Sequence, residues 1–127
     1  MEFQNFTNEI QNIEVQYSRP KGIIFIARND ENLPLGCFGI RVLEDSICEL
    51  KRMFLKKEAR GLGLGKQMLE KAIEAAKELG YQKMRLDTLP TMNAAIGLYK
   101  KVGFYEIEPY RFNPIQGTKY FELSLHK

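Results

Sequence analysis

Three glycines at alternate positions, Gly61, Gly63 and Gly65, lie between an apolar run that ends at Leu55 and the helical stretch "KQMLEKAIEAAKEL". Successive backbone N–H groups with no Cβ in the way, at the positive end of a helix, make a site for an anion. Arg60 and Lys66 add positive charge at its rim. A P-loop needs Gly, four residues, Gly-Lys and then Ser or Thr. Here Arg60 stands in the first glycine position, and Gln67 replaces the hydroxyl that would hold magnesium. The dinucleotide pattern G-x-G-x-x-G meets Lys66 when it starts at Gly61 and Met68 when it starts at Gly63. Nucleotide kinase, GTPase and NAD chemistry are therefore disfavoured. What remains is another polyphosphate ligand, or a tight turn with nothing bound.

The other constellations are weak. His126 is the only histidine and lies one residue from the end, which removes a histidine-based triad. Cys37 and Cys48 have no second CxxC and no clustered histidine, so reduced core thiols are expected in place of a metal site or a disulfide frame. Cys48 as a covalent nucleophile lacks a partner histidine.

The elements that must position the glycine loop follow from periodicity. Phe3, Phe6, Ile10, Ile13 and Tyr17 recur at steps of three and four and predict an amphipathic helix ended by "SRPKG". "GIIFIARN", "LGCFGIRVL" and "ICELKRMFL" read as three antiparallel strands joined by the turns "DENLP" and "EDS". After the loop, Met68, Leu69, Ala72, Ile73, Ala76 and Leu79 line one face of a helix that Gly80 stops. "QKMRLDTL" is the next strand. Thr91 is placed to cap the helix "MNAAIGLYKKV", which Gly103 closes, and "FYEIEPY" with "TKYFELSL" predicts a hairpin across "RFNPIQG". Strand, loop, helix, strand is a βαβ unit, whose two strands run parallel. The expectation is one α/β (α+β) domain over residues 1–127, with a mixed, mostly antiparallel central sheet flanked by helices. In such a unit the helix N-terminus lies at the carboxyl end of the first strand, where ligands of open sheets bind.

Composition fits this picture and narrows the partners. The chain has 127 residues, 44% hydrophobic and 28% charged, enough for one core. A net charge of +3 suits an anionic small ligand but lacks the dense basic tract of a nucleic-acid footprint. "MEFQNFTNEI" has no basic n-region or long apolar run, and nowhere do 18 apolar residues run together, so a soluble cytoplasmic protein without membrane partners is expected.

"LKRMFLKKEARGLGLGKQML" resembles the signature segment of the GNAT superfamily of N-acetyltransferases: Arg or Gln, two residues, Gly, one residue, then Gly or Ala. Arg60, Gly63 and Gly65 fill it. "MRLDTLPTMNAAIGLYKKVGFYEI" is similar to the second half of the same family, with Asn93, Tyr99 and the pair Gly103-Phe104. The likeness spans about Ile23 to Leu125 and is closer to bacterial members with "KRM", "LDTLP" and a late "NPIQG"-like loop.

The resemblance implies a GNAT-like acyl-CoA N-acyltransferase fold with acetyl-CoA as donor and no metal. The donor's pyrophosphate would take the N–H groups of Gly61, Leu62, Gly63, Leu64, Gly65 and Lys66, with Arg60 at the rim. Its pantetheine arm would pair with the backbone of Met53, Phe54 and Leu55, because the two parallel strands of this family splay apart. Asn93 would bond the arm, and Tyr99 would act as the acid at the thioester sulfur. An amine with a pKa of about 10.4 must lose a proton before attack; Glu49 on the central strand, or a water chain, is the expected base. Strand alternation would put Glu49, Lys51, Met53 and Leu55 on one face. The other readings are an ion pair of Glu49 with Lys51 or Arg52, a core role for Tyr99, and a helix-start cap for Asn93. Lys56, Lys57 and Lys100 are read as solvated charges.

Relatives usually carry a strand and another helix before the helix read at Phe3 to Tyr17. The expectation is therefore a domain lacking them, an exposed sheet edge at "GIIFIARN", and a homodimer that covers it. The acceptor is an amine, of a small molecule or a protein. The loop "YRFNPIQGTKYF" would border its pocket, with Tyr110, Arg111 and Asn113 offering polar contacts. The contrasting function is a non-catalytic CoA-binding or interaction module on a truncated acetyltransferase fold.

Overall fold

A computed structural model describes residues 12–18, 22–56, 63–111 and 115–125, with 12–18, 52–55 and 64 described by their backbone alone. Among the described residues seven strands form one sheet: β1 (Asn12–Ser18), β2 (Gly22–Arg28), β3 (Pro34–Glu44), β4 (Ile47–Leu55), β5 (Lys83–Thr88), β6 (Tyr105–Ile107) and β7 (Lys119–Ser124), in the spatial order β1-β2-β3-β4-β5-β7-β6. Helix α1 (Leu64–Glu78) joins β4 to β5, and α2 (Asn93–Val102) follows β5. Every adjacent pair is antiparallel except β4 and β5, as expected of the βαβ unit.

The start of the chain corrects the sequence reading. Asn12 to Ser18 is a strand, where a helix was expected, and it pairs along the whole of β2, from Asn12↔Arg28 to Ser18↔Gly22. The expected helix counted Ile13 and Tyr17, four apart, but passed over Val15. Ile13, Val15 and Tyr17 alternate with Asn12, Glu14 and Gln16, and a β-branched alternation with a partner strand beside it makes a strand. Phe3, Phe6 and Ile10 lie outside the described residues. The edge at Gly22–Arg28, expected to be bare, is covered by β1, which removes the ground on which a homodimer was expected.

Both helices lie on one face of the sheet. Ile23, Phe25, Phe38, Ile40, Cys48, Leu50, Met84, Leu86 and Phe121 meet Met68, Leu69, Ala72 and Ala76 of α1 and Ile96 and Tyr99 of α2 in a single buried core. Phe25 and Phe38, directly opposite across β2 and β3, stack with centroids 4.5 Å apart. Full burial of each large side chain stabilises by roughly 1.5–3 kcal/mol.

The helices stop where the glycines predict. Gly80 and Gly103 take φ of 91° and 122°. The following N–H groups close back onto the last turn, Tyr81 onto the Ala76 carbonyl at 3.1 Å and Phe104 onto the Tyr99 carbonyl at 2.9 Å. The start of α2 differs from expectation: Met92 holds the cap position and no side chain caps the helix, so Thr91 does not serve.

The β4–β5 pairing is short. Ile47↔Lys83, Cys48↔Met84 and Glu49↔Arg85 are in register, and beyond them the strands separate toward their carboxyl ends. Strand β4 also carries a bulge, since Lys51 opposes Gly39 while Phe54 opposes Cys37. One extra residue therefore lies between Lys51 and Phe54, and the alternation that groups Glu49 with Lys51 is not continuous to Met53 and Leu55.

Candidate active site

The separating carboxyl ends of β4 and β5 leave a cleft between the two strands. On its β4 side the backbone of Met53, Phe54 and Leu55 has no β5 partner, while Phe54 and Leu55 keep theirs on β3. Extended backbone with one edge unpaired offers N–H and C=O groups to a strand-like ligand.

At the end of this cleft α1 begins. Gly63 precedes it with φ of 78°, a left-handed conformation, and no atom lies within 4 Å of where its Cβ would stand. The first turn carries no acidic residue and no side chain caps it. The opening N–H groups of a helix have no partner within it, and among the described residues those of Leu64, Gly65 and Lys66 have none outside it, which suits an anion. Lys66 is exposed beside them. Arg60, Gly61 and Leu62 lie outside the described residues, as do Lys57, Asn113 and His126.

Across the cleft, Asn93 opens α2, exposed and engaged in no helix cap. Tyr99, further along α2, is buried, only 7% exposed, and its ring centroid lies 5.6 Å from that of Phe104 and 6.3 Å from that of Phe121. Burial raises its pKa above the ordinary value of 10, so the phenol keeps its proton at neutral pH.

Glu49 lies on the sheet face opposite the helices, fully buried. Its Oε1 accepts from Arg41 Nε at 3.0 Å, and its Oε2 accepts from the Tyr110 hydroxyl at 2.8 Å and from Arg111. Lys51 Nζ stands 3.9 Å from Oε1. The ion pair with Lys51 that the sequence offered as the other reading is thus present, but it is the weakest of the contacts. Three of the roughly four acceptor sites of a carboxylate are occupied.

Arg111 reaches across the separating strands, with Nη1 3.5 Å from Asp87 on β5 and Nη2 on Glu49 of β4. The guanidinium carbons of Arg85 and Arg111 lie over the Tyr110 ring, 5.4 and 5.1 Å from its centroid. Its hydroxyl pKa is pushed up, first by burial and then by the Glu49 carboxylate.

Sequence reasoning missed the frame around Glu49. Arg41, Glu49, Arg85, Glu122 and Tyr105 stand in register across β3, β4, β5, β7 and β6. Arg85 Nε donates to Glu122 at 2.8 Å, and the Tyr105 hydroxyl donates to the same carboxylate. The signal was a charge in the middle of each apolar strand, as in "GIRVL", "KMRLD" and "YFELS".

The model of the acetyltransferase (GNAT) family matches residues 2–104. An uncharacterized N-acetyltransferase of Schizosaccharomyces pombe is 39% identical over 126 residues, which cover 98% of this chain and 77% of that one. A GNAT acetyltransferase structure from Staphylococcus aureus superposes with a TM-score of 0.73 at 27% identity, over 83% of this chain and 68% of the other. One from Elizabethkingia anophelis, solved with acetyl-CoA bound, shares the fold with a TM-score of 0.74 at 18% identity, over 89% and 97%.

Proposed function

Because the chain belongs to the acetyltransferase (GNAT) family, we propose that it moves the acetyl group of acetyl-CoA to a primary amine by direct attack. The observation that carries the donor side is the open start of α1 at the carboxyl end of an unpaired stretch of β4. The N–H groups of Gly61 to Lys66 receive the pyrophosphate, with Arg60 beside them. Backbone of Met53 to Leu55 pairs with the pantetheine arm, and Asn93 bonds it from the other wall. A backbone N–H of β4 polarises the acetyl carbonyl as the tetrahedral intermediate forms.

Proton traffic divides between two residues. The amine loses its proton through water relayed toward Glu49, because Arg41, Tyr110 and Arg111 already occupy most of that carboxylate. Tyr99 gives its proton to the departing thiolate, and its raised pKa supports the assignment. Tyr99→Phe is expected to lower kcat on the order of a hundredfold, with the KM for acetyl-CoA little changed, in a thiol-release assay. Unchanged turnover would remove Tyr99 from the acid role. An amine panel separates the enzyme from a CoA-binding module: the module would be stabilised thermally by acetyl-CoA and release no thiol with any amine.

A further inference from the structure

Beside Glu49 three cationic heads, those of Arg41, Lys51 and Arg111, share two carboxylates, Glu49 and Asp87. Arg85 is committed to Glu122 at 2.8 Å and approaches Glu44 at 3.6 Å, and Arg111 is committed to Glu49 and Asp87. Lys51 is different. Its ammonium makes a single contact among the described residues, 3.9 Å from an oxygen that already accepts from Arg41. An ammonium has three donors, so most of its hydrogen-bonding capacity is unused.

Arg41 binds that oxygen through Nε, and its side chain is 57% exposed. Gly39 faces Lys51 across β3, so no side chain stands opposite the lysine stem. Among the described residues, the carboxylates that the heads of Arg41, Lys51 and Arg111 meet are those of Glu49 and Asp87.

Lys51 lies two residues past Glu49, the last residue of β4 that pairs with β5. It is also two residues before Met53, roughly 7 Å of strand, where the proposed donor arm begins. A group held by Lys51 therefore sits beside the place where an amine would attack. A purely cationic acceptor meets net repulsion there, whereas one with its own anion meets an unused ammonium.

We propose that the acceptor is a small amine bearing its own carboxylate, which Lys51 holds with help from Arg41. This rests on the acetyltransferase reading. Lys51 is then a specificity residue that acts on acceptor binding.

The test compares free amino acids, their α-carboxamides and putrescine as acceptors in the full chain, read by thiol release. The free acids are expected to exceed the amides in kcat/KM by on the order of tenfold or more. Lys51→Met should erase that ratio by raising the KM for the acids, with kcat held within about threefold and the amides little affected. Lys51→Arg, which keeps the charge, should retain the preference, and melting curves of both variants check that they fold. Equal use of acids and amides, a preference for putrescine, or an equal loss on both classes in Lys51→Met would overturn the inference. Release from putrescine alone removes this inference and leaves the enzyme reading intact. No release from any amine removes both.

Discussion

At the scale of single residues, Glu49 carries the clearest consequence. It is a fully buried carboxylate whose neighbours are Arg41, Lys51, Arg111 and a phenol. Removing its charge leaves three cations without their common partner, and a buried ion network broken on one side loses roughly 3–5 kcal/mol. Glu49→Gln is expected to cost that much in urea-unfolding midpoints. Glu44→Gln should cost within about 1 kcal/mol, because Glu44 is exposed and meets Arg85 only at 3.6 Å. Equal midpoints for the two variants would show that the Glu49 network does not stabilise the fold. The same comparison guards the kinetics: lost activity in Glu49→Gln speaks to proton transfer only at temperatures where the variant remains folded.

At the scale of elements, the close of α2 couples local structure to the site. Gly103 takes φ of 122°, its N–H bonds the Lys100 carbonyl at 3.1 Å, and Phe104 N–H bonds the Tyr99 carbonyl at 2.9 Å. The Tyr99 and Phe104 rings then meet across the same closure. A Cβ at Gly103 would lie 3.3 Å from Leu123 Cδ1, whereas one at Gly80 meets nothing within 4 Å. Both alanines meet the strain of a positive φ, about 1–2 kcal/mol; Gly103→Ala adds the Leu123 contact, so it should destabilise more than Gly80→Ala and lower kcat by shifting Tyr99. The unfolding midpoints rank the two variants, and the reverse order would deny the Leu123 contact its role. These stops were legible in the sequence because a left-handed residue at a helix end selects glycine locally. Strand β4 was read to the residue for a similar reason: "ICELKRMFL" has turn signals before it and the glycine loop after it. Strand β1 was misread because Ile13 and Tyr17 fit either period, and what decides is the partner β2, beyond any short window. The surroundings of Glu49 were illegible for the same cause. Arg41, Arg85, Tyr110 and Arg111 reach it only once strands distant in sequence have paired.

At the scale of the whole molecule, the buried titratable groups set the pH range over which the fold is stable. Burial pushes Cys48 from its ordinary 9.0 up to about 12, with a backbone hydrogen bond opposing. Its thiol therefore ionises in the unfolded chain before it does in the folded one. The folded chain then holds a proton that the unfolded one has lost. Stability is full below about pH 9 and falls as pH rises toward 12, by up to about 1.4 kcal/mol per pH unit. Tyr81 and Tyr99, both raised by burial, extend the same limb above pH 10. The acid limb has the opposite sign. Burial pushes the Glu122 pKa up, but the hydrogen bonds from Tyr105 and Arg85 and the charges of Lys83 and Arg85 hold it below its ordinary 4.5. That contribution is present above 4.5 and is lost as pH falls through the lower folded value. Urea midpoints measured under reductant should be level through neutral pH and decline on both sides. Cys48→Ala, which also loses core packing, should start lower but stay level between pH 9 and 10, leaving only the tyrosine limb above. Glu122→Gln should flatten the acid limb below 4.5. A Cys48→Ala profile that still falls between pH 9 and 10 as steeply as that of the unsubstituted chain would place the alkaline weakness in some group other than this thiol.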